Sequence, residues 1–352
     1  MEQFYSTVGI EIECHLVDKK NQPVSITQKD DLKSEIINYL EEHNLPTFSL
    51  EPHASLIEFK TNPHQSKKLL FNEIDLIYDI QKIAKKYDCN ILFQGLNPRA
   101  DSSKQLHARK YFPFSDVFCY AGIHINFNIK EEHHSDLFQI LDLMQQWCMP
   151  FSVLMQSSPL LAQKRTHCHS SRHALASGIL GPHFDFLPKS LMSWKKIAAF
   201  DALLKQSSKD YIFHAFTNPV QHLLRPKKIN GHKIIEIRFL DTSNADSLKT
   251  TIELMAQILD IIANKPKKTP VLFKDDLLLK TSMHQISHVG RHGIINLDYN
   301  TALSIEAWSK QHLAKLSQTL HQKFMHALSK PTMSENILKQ CEALNLVTYN
   351  HN

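Results

Sequence analysis

Glu11 and Glu13 stand one residue apart in the stretch TVGIEIECHLVD, Thr7–Asp18. Three further stretches share this design: Glu58 in SLIEFKT, His124 with Asn126 in YAGIHINFNIK, and Glu236 with Arg238 in KIIEIRFLD. Side chains of an extended chain alternate between two faces, so in each stretch the polar groups share one face and the apolar residues the other. Taken singly, each is the ordinary half-solvated antiparallel strand. Side by side in one sheet they would gather several carboxylates on one surface, each raising its neighbour's pKa. A divalent cation relieves that repulsion, and Mg²⁺ takes carboxylate oxygens together with nucleotide phosphates.

Such side chains need elements to carry them. The alternation predicts strands over Val8–Asp18, Ser55–Thr61, Tyr120–Lys130 and Lys233–Asp241, with a short one in Asn90–Pro98. Apolar residues at helical spacing predict helices over Lys33–Glu42, Lys67–Tyr87, Ser135–Met149, Ser247–Ala263 and Thr301–Leu328. Between the polar stretch Lys164–His173 and Lys233 the chain reads as mostly helical. Asn264–Pro270 is the best linker candidate, but no composition shift accompanies it, so residues 1–352 are expected to form one domain with helical elaborations.

Several function classes are disfavoured. The formal charge of +5 comes from scattered Lys and Arg, whereas a nucleic-acid binder concentrates them on one face. There is no GxGxxG and no GxxxxGK[ST], so a Gly-rich phosphate loop is not expected. The six cysteines form no CxxC pair and read as reduced thiols of a cytoplasmic protein. The start carries no secretory pattern, and no apolar run is long enough to span a bilayer. His167, Cys168, His169 and His173 could ligate zinc, but no second cluster has the spacing of a structural site.

At this point the motifs carry a family resemblance. TVGIEIECHLVD resembles the opening Gly-x-Glu-x-Glu strand of the glutamate–cysteine ligase family, in particular its bacterial carboxylate–amine ligase branch. EPHASLIEFKTNP is similar to the second motif, supplying Glu51, Glu58, Thr61 and Pro63; AGIHINFNI resembles the Gly-x-His strand. SSPLLAQKRTHCHSSRHA resembles a Ser-Pro segment followed by Ser-x-Arg, ending at Arg172. IIEIRFLD matches a Glu-x-Arg-x-x-Asp strand, giving Glu236, Arg238 and Asp241, and HVGRHGI looks like a late Arg-x-Gly motif with Arg291. The motifs keep the family order from Val8 to Gly293, and one departure is plain: Asn126 stands where many relatives have a second His.

The resemblance implies an α+β, glutamine-synthetase-like fold: a curved, mainly antiparallel sheet forming an active-site funnel, with helices on its outer face. It implies ATP-dependent amide formation from a carboxylate and an amine through an acyl phosphate, with ATP and Mg²⁺ as cofactors. Small-molecule amino acids or amines are the expected substrates, with no nucleic-acid or membrane partner and a possible homodimer. Glu11, Glu13, Glu51, Glu58, His124 and Glu236 form the implied metal-ligand pool. Arg238 and Arg172 are the implied phosphate-stabilising catalytic groups, with Arg291 a further nucleotide contact. Loops 96–120 and 162–182 would shape the substrate pocket. Two alternatives stay open: a repurposed, inactive nucleotide-binding descendant, or a guanidino-kinase-like phosphotransferase.

Overall fold

The computed structural model describes residues 3–51, 53–97, 120–161, 164–166, 168–170, 172, 189–199, 223–264, 266 and 269–343. Its centre is a seven-stranded sheet. Strands β1 (Tyr5–Asp18), β2 (Ser49–Leu50), β3 (Leu56–Lys60), β4 (Cys89–Leu92) and β5 (Gly122–Ile129) form one part. A small hairpin, β6 (Leu160–Leu161) and β7 (Lys164–Arg165), stands apart, and β8 (Leu224–Ile229) with β9 (His232–Asp241) completes the sheet. The strand order is β2-β3-β1-β5-β9-β8, with β4 on the end of β1, and every pairing is antiparallel.

Helices cover the sheet's apolar face. These are α1 (Asp30–Glu42), α2 (Lys67–Lys86), α3 (Leu137–Cys148), α4 (Ala245–Asn264) and α5 (Asp276–Val289). A second hairpin, β10 (Ile294–Asp298) and β11 (Thr301–Ser304), leads to α6 (Gln318–Ser329) and α7 (Met333–Ala343). The sheet contributes Ile10, Ile12, Ile57, Phe59, Ile123, Ile125, Phe127, Ile235 and Ile237 to one contiguous core. In α2, Leu70, Ile74, Ile77 and Ile80 recur every three or four residues and all are buried, which explains its docking by one face. No described helix is long and apolar enough to cross a membrane.

Two expectations are corrected. The region before Lys233 is not helical throughout, because β8 pairs with β9 through a tight turn. Asn230 and Gly231 take φ of 49° and 85°, the two positive values that a right-twisted two-residue hairpin demands. The expected helix Thr301–Leu328 begins as strand β11, then runs helically from Ile305 through a π-helical turn at Ser309–Leu313. It breaks at Ser317, whose side chain accepts from the Leu320 backbone N–H and so starts α6 as a separate helix.

Candidate active site

Strand register sets the site. Glu13 stands opposite Glu58, and Glu11 stands between Lys60 of β3 and His124 of β5. Asn126 faces Glu236 on β9, which faces Arg225 on β8. The four polar stretches of the sequence therefore lie on neighbouring strands, with their polar residues on one face. That face is acidic toward β1–β3 and basic toward β8–β9.

Ligand atoms of Glu11, Glu58 and His124 lie within 4.8 Å of one another, as do those of Glu13, Glu51 and Glu58. Glu58 belongs to both groups. The His124 Nδ1 is 2.8 Å from Glu11 Oε2, and its Nε2 is 3.9 Å from Glu13 Oε1. A carboxylate only accepts, so the His124 Nδ1 donates to Glu11. Asn126 donates its amide N–H to the other Glu11 oxygen at 3.3 Å. Two donors thus hold Glu11, while the Gly122 backbone N–H holds Glu13 Oε2 at 2.6 Å. Thr242 Oγ1 donates to the Glu13 carbonyl at 2.6 Å, fixing the strand from behind.

The charges do not balance evenly. Burial, together with the charges of Glu13 and Glu58, pushes the Glu51 carboxyl up to about 8. Burial also raises Glu58, although Lys60, 2.9 Å away, opposes it. For Glu11, burial is outweighed by the His124 hydrogen bond and by the charges of His124, Lys227 and Lys60, leaving it at about 2. Burial of Glu236 is outweighed in the same way by Arg238, His124, Arg225 and Lys227, and it too sits at about 2. Its carboxylate is fully buried and held by Arg225 Nε and Lys227 Nζ.

The donor set suits a hard divalent cation, being mostly carboxylate oxygen with one imidazole nitrogen. Two observations support that fit: a Glu51 carboxyl displaced upward by burial and by its acidic neighbours, and the buried Asn126 Oδ1, which has no hydrogen-bond partner among the described residues. The basic side suits phosphate. Arg238 sits at a bulge, where Arg238 and Phe239 of β9 oppose the single residue His124 of β5, and its buried Nε has no partner among the described residues.

The remaining sequence candidates are placed differently. Arg172 is buried, donates to the carbonyls of Leu240 and Arg238 at 3.2 Å each, and lies 3.9 Å from Asp241. Its guanidinium takes the space of an absent side chain: a Cβ on Gly122 would come within 2.2 Å of Nη2. Asp241 in turn accepts from Ser158 Oγ at 2.7 Å and Ser170 Oγ at 2.8 Å, so it ties this corner together. Arg291 binds Glu335 and donates to the carbonyls of Leu328 and Lys330, fastening the chain around α7. In the histidine-rich stretch, His169 contacts Ser334 Oγ, while His167 and His173 lie outside the described residues. So do most of the two loops expected to shape the substrate pocket.

Lys60, Arg225 and Lys227 also reach this face, outside the set of site residues expected from the sequence. Their signal was present: Arg225 and Lys227 alternate with Leu224 and Pro226 just before Asn230-Gly231, the strongest short hairpin signal.

The family model described as glutamate–cysteine ligase family 2 matches residues 7–266. No curated protein matches the sequence. Among solved structures, the chain is similar to glutamate–cysteine ligase from Francisella tularensis in complex with AMP. That match has 14% identity and a TM-score of 0.63, and covers 97% of this chain and 86% of that one. It is also similar to a bifunctional glutathione synthetase from Pasteurella multocida, with 12% identity, a TM-score of 0.61, and 97% and 49% of the two chains covered. A third is the ligase PafA in complex with prokaryotic ubiquitin-like protein Pup, at 13% identity and TM-score 0.50, covering 97% and 64%. At such identities the likeness is one of fold.

Proposed function

The chain belongs to glutamate–cysteine ligase family 2 and is an ATP-dependent carbon–nitrogen ligase, and on that premise we propose that it makes an amide through an acyl phosphate. The observation that carries this reading is the two-sided polar face: Glu11, Glu13, Glu51, Glu58 and His124 gathered opposite Arg225, Lys227 and Arg238.

A substrate carboxylate oxygen attacks the γ-phosphorus of ATP, the bond to ADP breaks, and a mixed anhydride forms. The amine nitrogen then attacks the acyl carbon, the carbon–oxygen bond to phosphate breaks, and the nitrogen loses a proton. Glu11, Glu13, Glu51, Glu58 and His124 would hold Mg²⁺, which neutralises charge developing on the phosphate oxygens. The hydrogen bonds from His124 and Asn126 orient Glu11, and the Gly122 N–H orients Glu13. Arg238 supplies donors to the transferring phosphoryl group. Glu236, already held between Arg225 and Lys227, keeps those two cations aimed along the same face. Arg172 acts from behind, holding the β9 carbonyls and the Gly122 corner. The free thiols of Cys14, Cys89 and Cys148, all buried, suit work in a reducing cytoplasm.

The test is phosphate release from Mg²⁺–ATP across a matrix of amino acids and amines. The ligase reading expects release only when a carboxylate and an amine are both present, with a product whose mass is their sum less one water. A phosphorylated product formed without an amine would favour a phosphotransferase instead. Nucleotide binding without turnover of any pair would favour the inactive descendant.

A further inference from the structure

Away from the sheet face just described, α4, α6 and the segment after α6 flank a half-open cavity of about 270 Å³. None of the side chains assigned to catalysis lines it. Its volume is near the small end of the range for ligand sites. Leu154 and Leu254 give it an apolar floor, and its walls carry opposite charges. Asp246 and Glu253, seven residues apart and so on one face of α4, supply acid; Lys323 of α6 and Lys330, just past its end, supply base, with His326 between them in the chain.

Asp246, Lys323 and Lys330 are exposed at this cavity, and Glu253 is half-buried. Among the described residues, none of Asp246, Glu253, Lys323 and Lys330 lies within 4.0 Å of an opposite charge. A lone anion would meet two carboxylates here and a lone cation two ammonium groups, so each is selected against. A small molecule carrying both charges satisfies both walls while its carbon skeleton rests on the leucines. We propose that this cavity binds a free α-amino acid as its zwitterion, carboxylate toward Lys323 and Lys330, ammonium toward Asp246 and Glu253. The inference does not depend on the reading of the catalytic face.

Calorimetric titration of the full chain tests it. The probes are glycine, L-alanine, L-glutamine and L-glutamate, each beside its N-acetyl and α-carboxamide derivatives, which lack one charge apiece. At least one free amino acid should show a binding step that weakens tenfold or more in both derivatives. The double substitution Lys323→Ala, Lys330→Ala should remove that step while leaving the melting temperature and ATP turnover unchanged. If that variant melts early, Asp246→Asn with Glu253→Gln must remove the same step. Absence of any binding step, survival of the step in these variants, or equal binding of a single-charge derivative would overturn the proposal.

Discussion

Glu11 and Glu236 share a depressed pKa of about 2 but have different surroundings, so neutralising them should have different consequences. Glu11 lies on the polar face of the sheet, with its side chain 24% exposed. Glu11→Gln should therefore reduce ATP turnover by roughly a hundredfold or more while barely moving the melting temperature. Glu236 is fully buried with two cations on it, and Glu236→Gln should destabilise the fold by about 3–5 kcal/mol, read by denaturant unfolding. Both carboxyls lie below their unfolded values near 4.5, so the stability they add is present above that pH and lost as pH falls toward 2. Glu51 runs the other way. With its carboxyl near 8, it binds a proton at neutrality that a cation must displace, so Mg²⁺ affinity should climb as pH rises through 8. Calorimetry between pH 6 and 9 should show that climb in the native chain and a flatter profile in Glu51→Gln.

At the scale of elements, the hairpin joining β8 to β9 brings Arg225 and Lys227 to the face. A Cβ at Gly231 would meet nothing within 4 Å, so Gly231→Val tests backbone conformation alone. Its positive φ should make that substitution cost about 1–2 kcal/mol in chemical denaturation. Gly122→Ala tests packing instead, because its Cβ would strike Arg172. Since the same residue's N–H holds Glu13, turnover should fall along with stability, whereas an effect on stability alone would separate Gly122 from the site. Strands β1, β5 and β9 were legible because each has a long alternating pattern with a buried apolar face. Strand β8 was not, because Pro226 and the basic run Arg225–Lys228 hide a short alternation. Thr301–Ser304 was read as helix because its residues precede a true amphipathic stretch, and only pairing with β10 makes them a strand.

For the molecule as a whole, alternation could say which side chains share a face, and the order of motifs could say that the faces belong together. Neither carries the strand order, the bulge at Arg238, or the fate of Arg291, which depend on contacts between residues far apart in the chain. Arg291 binds Glu335 and two carbonyls 37 and 39 residues away, a clasp on α7 that no local pattern announces. Arg291→Ala should lower stability by ~2 kcal/mol with kcat preserved; a selective loss of kcat would return it to the nucleotide site. The central claim is that this acidic and basic face activates a carboxylate by phosphorylating it. Once a productive pair is found, running the reaction with that carboxylate labelled with ¹⁸O gives the most direct test. Mass analysis of the released phosphate should find one labelled oxygen transferred per turnover. Phosphate free of label would contradict the account.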